Sequence, residues 1–446
     1  MRLDHLGAID RSMPVNFEFD GVAYSGFAGD TLASALLANG VKLTGRSFKY
    51  HRPRGIFTIG SAEPNAMITL IEGAQRTPNL RASMIEIYEG IRAFSQNNWP
   101  SLRHDVMAIN DVFSPFLGAG FYYKTFMWPR KFWEKIYEPV IRRAAGLGSL
   151  ATEPDQSVSE KAFAHCDLLV IGGGPAGLLA ARTAARAGLD VILADEDTTL
   201  GGRLLYEQEE IDDAPASLWL QKLLIELRAL PNVRLMTRTT VTGLYDGGTF
   251  SALERVSLHM QPAGDLPREC FWRIVAKHAI LAAGALERPI AFANNDRPGI
   301  MLANAVRGYV NRFGVVPGLK VSIFANNDDA RRTARDLMAA GVNVVAILDS
   351  RADAPSAENC PVYLKVEILN TEGRHGLTHL RFRHAAGEAY LATDCLGLSG
   401  GWNPSLHLAC HMNGRPAWND AIAAFVPRVD MVAGLTTAGA AAGVFS

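Results

Sequence analysis

The segment 167–195 constrains the fold of this chain more than any other feature. An apolar run, DLLVI, leads into the glycine-rich turn GGGPAG at 172–177, and a helical pattern rich in alanine and leucine follows. Gly172 permits a tight turn, Gly174 lets the backbone approach a pyrophosphate, and Gly177 lets the helix pack closely on the strand. The sequence therefore predicts a strand–turn–helix unit that binds a dinucleotide at the helix N-terminus.

The second strand of this unit ends in acidic residues. Asp195 follows Gly174 by 21 positions, where a carboxylate can accept hydrogen bonds from a ribose. Glu196 and Asp197 beside it would repel a 2′-phosphate, so NAD is predicted rather than NADP. Further residues predicted to bind this cofactor lie in the glycine turn, in a later Gly-Gly turn and at the end of a third strand: Pro175, Ala176, Gly202, Arg203, Ala283 and Gly284.

Three other segments bear on the cofactor. Arg203 either pairs with phosphate or is an ordinary solvated arginine. The segment 320–330, KVSIFANNDDA, stands where a second dinucleotide turn would be, but it lacks glycine and carries two aspartates, which disfavours a second nucleotide. Leu435 follows Gly434 at a turn where FAD reductases usually carry an aspartate, and this weakens the case for FAD.

The rest of the chain divides into α/β and β-grasp patterns. Strand-like runs alternate with helical patterns after residue 164, at 167–171, 190–194, 233–236, 278–282, 320–324, 343–348 and 394–398. Before that, a strand at 15–19, the hairpin signal Asp20-Gly21, a helix at 31–38 capped by Asp30 and a strand at 66–71 predict a ferredoxin-like domain. The first cysteine is Cys166, so this domain has no thiolate for an iron–sulfur cluster.

The predicted fold class is therefore α/β: a two-dinucleotide-binding-domain flavoprotein fold, Rossmann-like and FAD/NAD(P)-binding, preceded by a cluster-less β-grasp domain. The predicted regions are a β-grasp domain at 1–100, an aromatic-rich connector at 101–164, an NAD-binding Rossmann-like domain at 165–310 and 395–446, and an inserted second Rossmann-like domain without a phosphate loop at 311–394.

Composition excludes several classes of function. Lys and Arg total 44 against 45 Asp and Glu, so no nucleic-acid partner is expected. No apolar run is long enough to span a bilayer and the N-terminus has no signal-peptide core, so no membrane association is expected. The cysteines are few, odd in number and scattered, which indicates a reducing cytoplasm: Cys166, Cys270, Cys360, Cys395 and Cys410.

No catalytic residue or metal site is predicted. His407 and His411 have helical ligand spacing but no further ligand beside them, and His375, His379 and His384 are expected to be structural.

The sequence leaves two interpretations open for each of two further segments. The basic run 46–54 is either a solvated loop or a contact for an anion or partner. The segment 121–137, with eight aromatics in 17 positions, is either an irregular connector or a surface that anchors a partner subunit.

Five stretches carry a family resemblance. GDTLASALLANGV (29–41), GRSFKYHRPRGI (45–56), EPNA (63–66), FYYKTFMWP (121–129) and the GGGPAG region together resemble the N-terminal half of the alpha subunit of heterotetrameric sarcosine oxidase. Related multi-subunit oxidases and dehydrogenases of N-methyl amino acids share the pattern. The resemblance implies a tightly bound, non-reacting NAD in this chain, FAD and a covalent FMN held through a beta subunit, and gamma and delta subunits.

The same resemblance implies an activity: oxidative demethylation of sarcosine to glycine, with peroxide and methylene-tetrahydrofolate as the other products. It places Val241 against the adenine through its backbone, and Leu435 and Thr437 along the nicotinamide half. Family alpha subunits are about twice as long, so the tetrahydrofolate site is expected in a C-terminal half outside this sequence, and the C-terminus is expected to fray. Two rival functions stay open: an autonomous FAD-dependent NAD(P)H reductase and a structural interaction module.

Overall fold

The computed structural model describes residues 1–73, 75–118, 120, 128–144, 146, 148–260 and 263–445. Four aromatics of the predicted connector, Phe121, Tyr122, Tyr123 and Phe126, lie outside the described residues. The chain divides into two compact units, one formed by Met1–Asp155 and Pro289–Ser399 and the other by Gln156–Arg288 and Gly400–Ser446. Each unit is described below by itself.

The first unit begins with a five-stranded sheet of order β2-β1-β7-β5-β6. Its strands, with two short ones, are β1 (Asp10–Phe19), β2 (Val22–Ala28), β3 (Gly45–Arg46), β4 (Pro53–Arg54), β5 (Met67–Glu72), β6 (Gln75–Arg81) and β7 (Ile91–Ser95). Asp20 and Gly21 both have positive φ, at 49° and 79°, so they form the predicted tight hairpin turn between β1 and β2. β7 then pairs parallel to β1, which completes the β-grasp pattern.

Helix α1 (Leu32–Ala38) packs on this sheet with almost its whole surface buried. Its N-cap is Thr31, which forms a capping box with Ser34, rather than the predicted Asp30. Asp30 is fully buried instead and pairs with Arg2 at 2.7 Å. The helix ends at Asn39 and Gly40 as predicted.

The described part of the connector contains short helices. They are α2 (Ile109–Val112), α3 (Glu138–Ala144), the 3₁₀ turns Val106–Ala108, Ser114–Phe116 and Arg130–Phe132, and the π-helical turn Trp133–Tyr137.

The second unit is built on a seven-stranded sheet of order β12-β9-β8-β15-β14-β13, with β28 also paired to β15. Its elements up to residue 288 are β8 (Ser159–Ile171), α4 (Pro175–Arg186), β9 (Val191–Ala194), β10 (Glu210–Ile211), β11 (Ala214–Pro215), α5 (Ala216–Ala229), β12 (Val233–Met236), β13 (Thr239–Tyr245), β14 (Thr249–Arg255), β15 (Glu269–Leu281) and β16 (Ala285–Glu287). β12, β9, β8, β15 and β28 run parallel, so their carboxyl ends meet at one edge.

The rest of the first unit is a parallel sheet of order β17-β24-β18-β19-β20 beside a small antiparallel sheet. Its elements are β17 (Ile300–Leu302), α6 (Ala303–Phe313), β18 (Val321–Ala325), α7 (Asp329–Ala339), β19 (Val344–Asp349), β20 (Val362–Tyr363), β21 (Glu367–Glu372), β22 (His379–His384), β23 (Gly387–Ala392) and β24 (Cys395–Ser399). The second unit then closes with β25 (Trp402–Pro404), α8 (His407–His411), β26 (Ala417–Asn419), β27 (Ala424–Val426), β28 (Leu435–Thr437) and the 3₁₀ turn Gly439–Ala442.

The predicted α/β fold class is confirmed, and each of the seven predicted strands after residue 164 has a counterpart. The compact units differ from the predicted domain boundaries. Residues 289–310 and 395–399, expected in the NAD-binding domain, belong to the first unit, because β17 and β24 hydrogen-bond to each other in the same sheet as β18. Within the described part of the chain, no helix combines the length and apolar character needed to cross a bilayer.

Candidate dinucleotide site

The glycine turn after β8 has the backbone geometry that the sequence predicts. Gly172 has φ of 107°, and a Cβ atom there would overlap the carbonyl oxygen of Ala282. A Cβ atom on Gly177 would overlap the carbonyl oxygen of Gly172. These two positions therefore admit no side chain, because α4 and the end of β15 approach the turn too closely.

Gly174 differs from its neighbours because it faces open space. It is the N-cap of α4, Pro175 occupies the first helical position, and no side chain caps this end. A Cβ atom on Gly174 would meet nothing within 4 Å. The N–H groups of Ala176 and Gly177 lie in the first turn of this twelve-residue helix, where backbone amides attract an anion. The turn can therefore accept a pyrophosphate beside Gly174.

The Gly201-Gly202 turn lies directly against the glycine turn. The Gly201 nitrogen donates to the Gly173 carbonyl at 2.8 Å, and a Cβ atom on Gly202 would lie 2.9 Å from the Gly174 Cα. Arg203 follows, with its guanidinium 4.1 Å from the centroid of the Trp402 ring and an ion pair to Glu207. Arg203 is thus held by a ring and a carboxylate at the rim of the turn, which differs from a solvated surface arginine.

Asp195 follows β9 and its carboxylate closes the other side of the turn. It accepts hydrogen bonds from the Gly173 nitrogen at 2.5 Å and from the Asp197 nitrogen at 2.7 Å. Burial raises the pKa of Asp195 to about 6, and the neighbouring charges of Asp197 and Glu196 add to the shift. The structure therefore brings Asp195 to the glycine turn, where it can also accept from a ribose hydroxyl.

The carboxyl ends of β15 and β28 complete the sheet edge at which the glycine turn lies. Ala283 and Gly284 lie two and three residues after the end of β15, and Gly284 has φ of 69° with open space beside it. Thr437 is the last residue of β28, which pairs parallel to β15. A Cβ atom on Gly439 would lie 2.7 Å from the Cβ of Ala176, so the turn after β28 touches the start of α4.

The side chains of two residues predicted at the cofactor, Leu435 and Val241, pack into the core of the second unit. Leu435 is the first residue of β28, and its side chain is buried in the core with Ile274 and Leu281. The residue after the glycine at the site edge is Ala440, which also carries no carboxylate. Val241 packs its side chain against the same core. The start of its strand adjoins Asp195 through the Thr239 nitrogen, which donates to the Asp195 carbonyl at 2.8 Å.

The sequence patterns did not predict four residues that lie at this edge of the sheet: Gly439, Ala440, Glu207 and Trp402. Gly439 and Ala440 could have been found, because the small-residue run after an apolar strand is a turn signal. Glu207 could have been found from its i,i+4 spacing to Arg203. Trp402 carries no local signal, because only the pairing of β16 with β25 brings it near.

The parallel sheet of the first unit, β17-β24-β18-β19-β20, is the second Rossmann-like sheet, and it also has an aspartate at the end of a strand. Two arginines pair with that aspartate. Asp349 ends β19, is fully buried and lies 2.9 Å from both Arg331 and Arg351. Arg331 stands in the first half of α7, the helix that follows the glycine-free turn. Burial alone would raise the pKa of Asp349, but these arginines lower it. Arg351 also pairs with Asp328 at 2.6 Å.

The charges of the basic run 46–54 are paired within the chain, which differs from the predicted solvated loop. Arg52 and Arg54 both pair with Asp296, at 2.8 and 2.5 Å. Arg46 donates to the Leu102 carbonyl at 2.6 and 3.0 Å. Lys49 donates to the Gly118 carbonyl at 3.0 Å, so all four firm positive charges of the run are engaged within the first unit.

Two of the histidines named above pack against aromatic rings. His411 packs edge-on against Tyr245, and His384 packs against Tyr363. In the part of the chain that the structure describes, no group of three or more His, Cys, Asp or Glu side chains is arranged to hold a metal ion.

The fold and the site place the chain in a class. Residues 167–226 match the family described as FAD dependent oxidoreductase, and residues 12–98 match the family described as 2Fe-2S iron-sulfur cluster binding domain. The L-proline dehydrogenase from P. horikoshii has the same fold, with a TM-score of 0.67 and 21% identity over 97% of this chain and 69% of that one. The chain therefore has the dinucleotide-binding fold of flavoprotein oxidoreductases.

The particular family follows from sequence relatives. The chain is 52% identical to the sarcosine oxidase subunit alpha of Rhizobium meliloti (strain 1021), over 99% of this chain and 45% of that protein. It is 36% identical to that of Corynebacterium sp. (strain U-96), over 98% of this chain and 42% of that protein. The chain is a homologue of sarcosine oxidase alpha subunits and spans somewhat less than half of their length. The predicted resemblance to this oxidoreductase family is confirmed.

Proposed function

We propose that this chain is the dinucleotide-binding part of an alpha-type subunit in a multi-subunit flavoenzyme that oxidatively demethylates sarcosine to glycine, with peroxide and methylene-tetrahydrofolate as the other products. The observation that carries the proposal is the 52% identity to a sarcosine oxidase alpha subunit across 99% of this chain. It covers both compact units and includes the glycine turn and the acidic segment after β9.

We propose NAD as the dinucleotide held by this chain, as a non-reacting cofactor. The first-turn amides of α4 would face its pyrophosphate, and Asp195 would accept from the adenosine ribose. Glu196 and Asp197 disfavour a 2′-phosphate beside that ribose, and the alanine after Gly439 offers no carboxylate at the opposite edge. In this role the residues bind and orient a nucleotide, and none of them transfers a proton or an electron.

The redox chemistry of the proposed enzyme would lie on other chains or at their boundary with this one. FAD on a beta subunit would oxidise the substrate, an FMN would lie between alpha and beta, and gamma and delta subunits would complete the complex. Tetrahydrofolate would bind in a C-terminal half outside this sequence. Support comes from the relatives, which are named as subunits, and from apolar side chains exposed along the connector: Val106, Ile109, Val112, Phe113, Phe116, Trp128, Phe132, Ile136 and Val140.

The main rival function is a self-contained FAD-dependent reductase. The match of residues 167–226 to an FAD-dependent family favours a flavin at the glycine turn. A reductase of this fold also needs a second nucleotide site in the 320–330 region. The pairs that Asp349 forms with Arg331 and Arg351 argue against one, because the residue that would bind a ribose is buried and neutralised.

The decisive experiment is to purify the protein, record its near-ultraviolet and visible absorption spectrum, and identify the nucleotide released on denaturation by chromatography. Released NAD with no flavin band supports the proposal. Bound FAD that NADH reduces would overturn it in favour of the reductase. A protein that binds neither nucleotide, even when NAD is supplied, would leave only the structural interaction module.

A further inference from the structure

The N-terminal domain matches a 2Fe–2S family but lacks the chemistry to hold a cluster. Such clusters need four thiolate ligands, or two thiolates and two histidines. The matched residues 12–98 contain no cysteine, since the first one in the chain is Cys166. The residues present therefore do not fit the cluster, and something else must hold the long loop at 39–66, between α1 and β5. A loop of this length with so little regular structure is uncommon unless it is specifically held.

The loop closes around one buried carboxylate. Glu63 is 1% exposed, and its Oε2 atom accepts from the nitrogens of Phe57 and Thr58 at 2.8 and 2.7 Å. Its Oε1 atom accepts from the nitrogens of Asn65 and Ala66 at 2.8 and 3.0 Å. Four backbone amides thus converge on one side chain. Burial raises the pKa of Glu63, while these four N–H groups oppose the shift.

We infer that the Glu63 carboxylate replaces the iron–sulfur cluster as the internal anchor of this loop, and that the domain is a docking element rather than an electron carrier. A thiolate-bound cluster is an anionic centre that cross-links a loop and accepts hydrogen bonds at its sulfurs. A buried carboxylate also supplies a negative centre for converging N–H groups, and charge-assisted hydrogen bonds of this kind are the stronger ones. The substitution keeps the electrostatic function of the anchor and removes its redox chemistry.

The anchored residues also dock the domain within the first unit. The Phe57 carbonyl accepts from the Leu302 nitrogen at 2.9 Å, at the junction of β17 and α6. The Thr58 carbonyl accepts from the Tyr309 hydroxyl at 2.9 Å, and Tyr309 is fully buried on α6. Glu63 therefore fixes the N–H groups of the same two residues whose carbonyls contact the second Rossmann-like sheet and its helix.

A second buried pair holds the first half of the loop. His51 Nδ1 lies 2.7 Å from Asp105 Oδ2, and both side chains are buried. Arg46 donates to the His51 carbonyl at 3.0 Å and to the Leu102 carbonyl. This half of the loop is thus tied to the start of the connector, independently of Glu63.

The test is hydrogen–deuterium exchange on the full 446-residue chain with Glu63→Ala, Glu63→Gln and the surface control Glu18→Gln. Glu18 lies on β1 of the same domain with a long contact of 3.6 Å to Arg92. Glu63→Ala should speed exchange of the amides of residues 57, 58, 65 and 66 by about tenfold or more, because buried donors lose their acceptor. The Leu302 amide should also exchange faster, although it lies far from Glu63 in sequence.

Glu63→Gln keeps one acceptor oxygen, so it should release one pair of amides and leave the other protected. If Glu63→Ala does not accumulate as folded protein, the exchange measurement on Glu63→Gln decides the question. Glu18→Gln should leave all five amides unchanged. Unchanged protection in both Glu63 variants would overturn the anchoring role. Stoichiometric, visibly absorbing iron bound by the wild-type chain after anaerobic reconstitution with ferrous iron and sulfide would overturn the replacement of the cluster.

Discussion

Arg331 Nη1 lies 2.9 Å from Asp349 Oδ2, and both side chains are buried. Asp349 ends β19 of one parallel sheet, just as Asp195 follows β9 of the other. Backbone amides of the glycine turn and of Asp197 hold Asp195, whereas two guanidinium groups neutralise Asp349. The carboxylate at this topological position is thus held by backbone amides in one sheet and closed by ion pairs in the other.

Breaking the buried Arg331–Asp349 pair should lower the free energy of unfolding much more than breaking a surface ion pair. Arg331→Met should lower the free energy of unfolding by about 3–5 kcal/mol, because it leaves a buried carboxylate with one of its two partners removed. Arg383→Met is the control, since Arg383 and its partners Glu367 and Glu388 are all exposed, and it should cost about 1 kcal/mol or less. Chemical denaturation measures both. Equal losses for the two variants would contradict the structural role of the buried pair.

Position 174 should tolerate a side chain in the nucleotide-free protein, but not when the proposed nucleotide is bound. A Cβ atom there meets nothing within 4 Å, so Gly174→Val should fold while its side chain occupies the space proposed for the pyrophosphate. The nucleotide recovered per chain after denaturation should fall to near zero. Gly60→Val, also at an open position, is the control and should keep full nucleotide content. If Gly174→Val abolishes the nucleotide and assembly with partner subunits survives intact, the interaction module is favoured.

Asp195→Asn should change stability in a pH-dependent way. The pKa of Asp195 is about 6 in the folded chain against 3.8 for an ordinary aspartate. The folded state therefore binds more protons in this window, and the stability of the wild type falls as pH rises from about 4 to about 6. The variant lacks this titration, so its melting temperature should rise relative to the wild type across the same window. Its affinity for NAD should fall, because asparagine is a neutral acceptor.

Asp167→Asn provides the matched control with the opposite sign. Lys277 lies 2.6 Å from Asp167, and its hydrogen bond lowers the pKa of that carboxyl. The pair contributes stability above the ordinary aspartate pKa and loses it as pH falls. Melting temperatures of both variants, over a pH series extended from about 6 to below 4, check the prediction. Parallel trends for the two would show that burial does not set the Asp195 titration.

The exposed apolar side chains of the connector should matter for assembly rather than for folding. Phe116 and Trp128 are 79% and 82% exposed, so replacing each by serine removes little buried surface. The melting temperature of the isolated chain should change little, while recovery of a complex with a co-expressed beta-type subunit should fall several-fold. Val429→Ser, at a 92% exposed residue of the other unit, is the control. Full complex recovery in both connector variants would move the partner surface elsewhere.

Local sequence patterns were sufficient for the glycine turn. Gly172 and Gly177 are required because neighbouring carbonyl oxygens leave no room for a Cβ atom. Their spacing in a strand–turn–helix pattern is what allowed this requirement to be predicted from sequence. The Asp20-Gly21 hairpin was predicted for the same reason, since both residues adopt positive φ. The sequence could not show which end of β28 faces α4, because two glycines, Gly434 and Gly439, flank this strand and only its pairing distinguishes them.

The sequence by itself determined what depends on neighbouring residues: the glycine turn, the acidic segment after β9, the hairpin, and the lack of thiolates in a ferredoxin-like domain. Only the tertiary structure decided which charges are used internally. Arg52 and Arg54 meet Asp296 more than 240 positions away, and Glu63 gathers amides from both sides of a loop. A charge on a solvated loop and a charge in a buried pair look the same in sequence, because burial and partner distance are set by packing of distant segments.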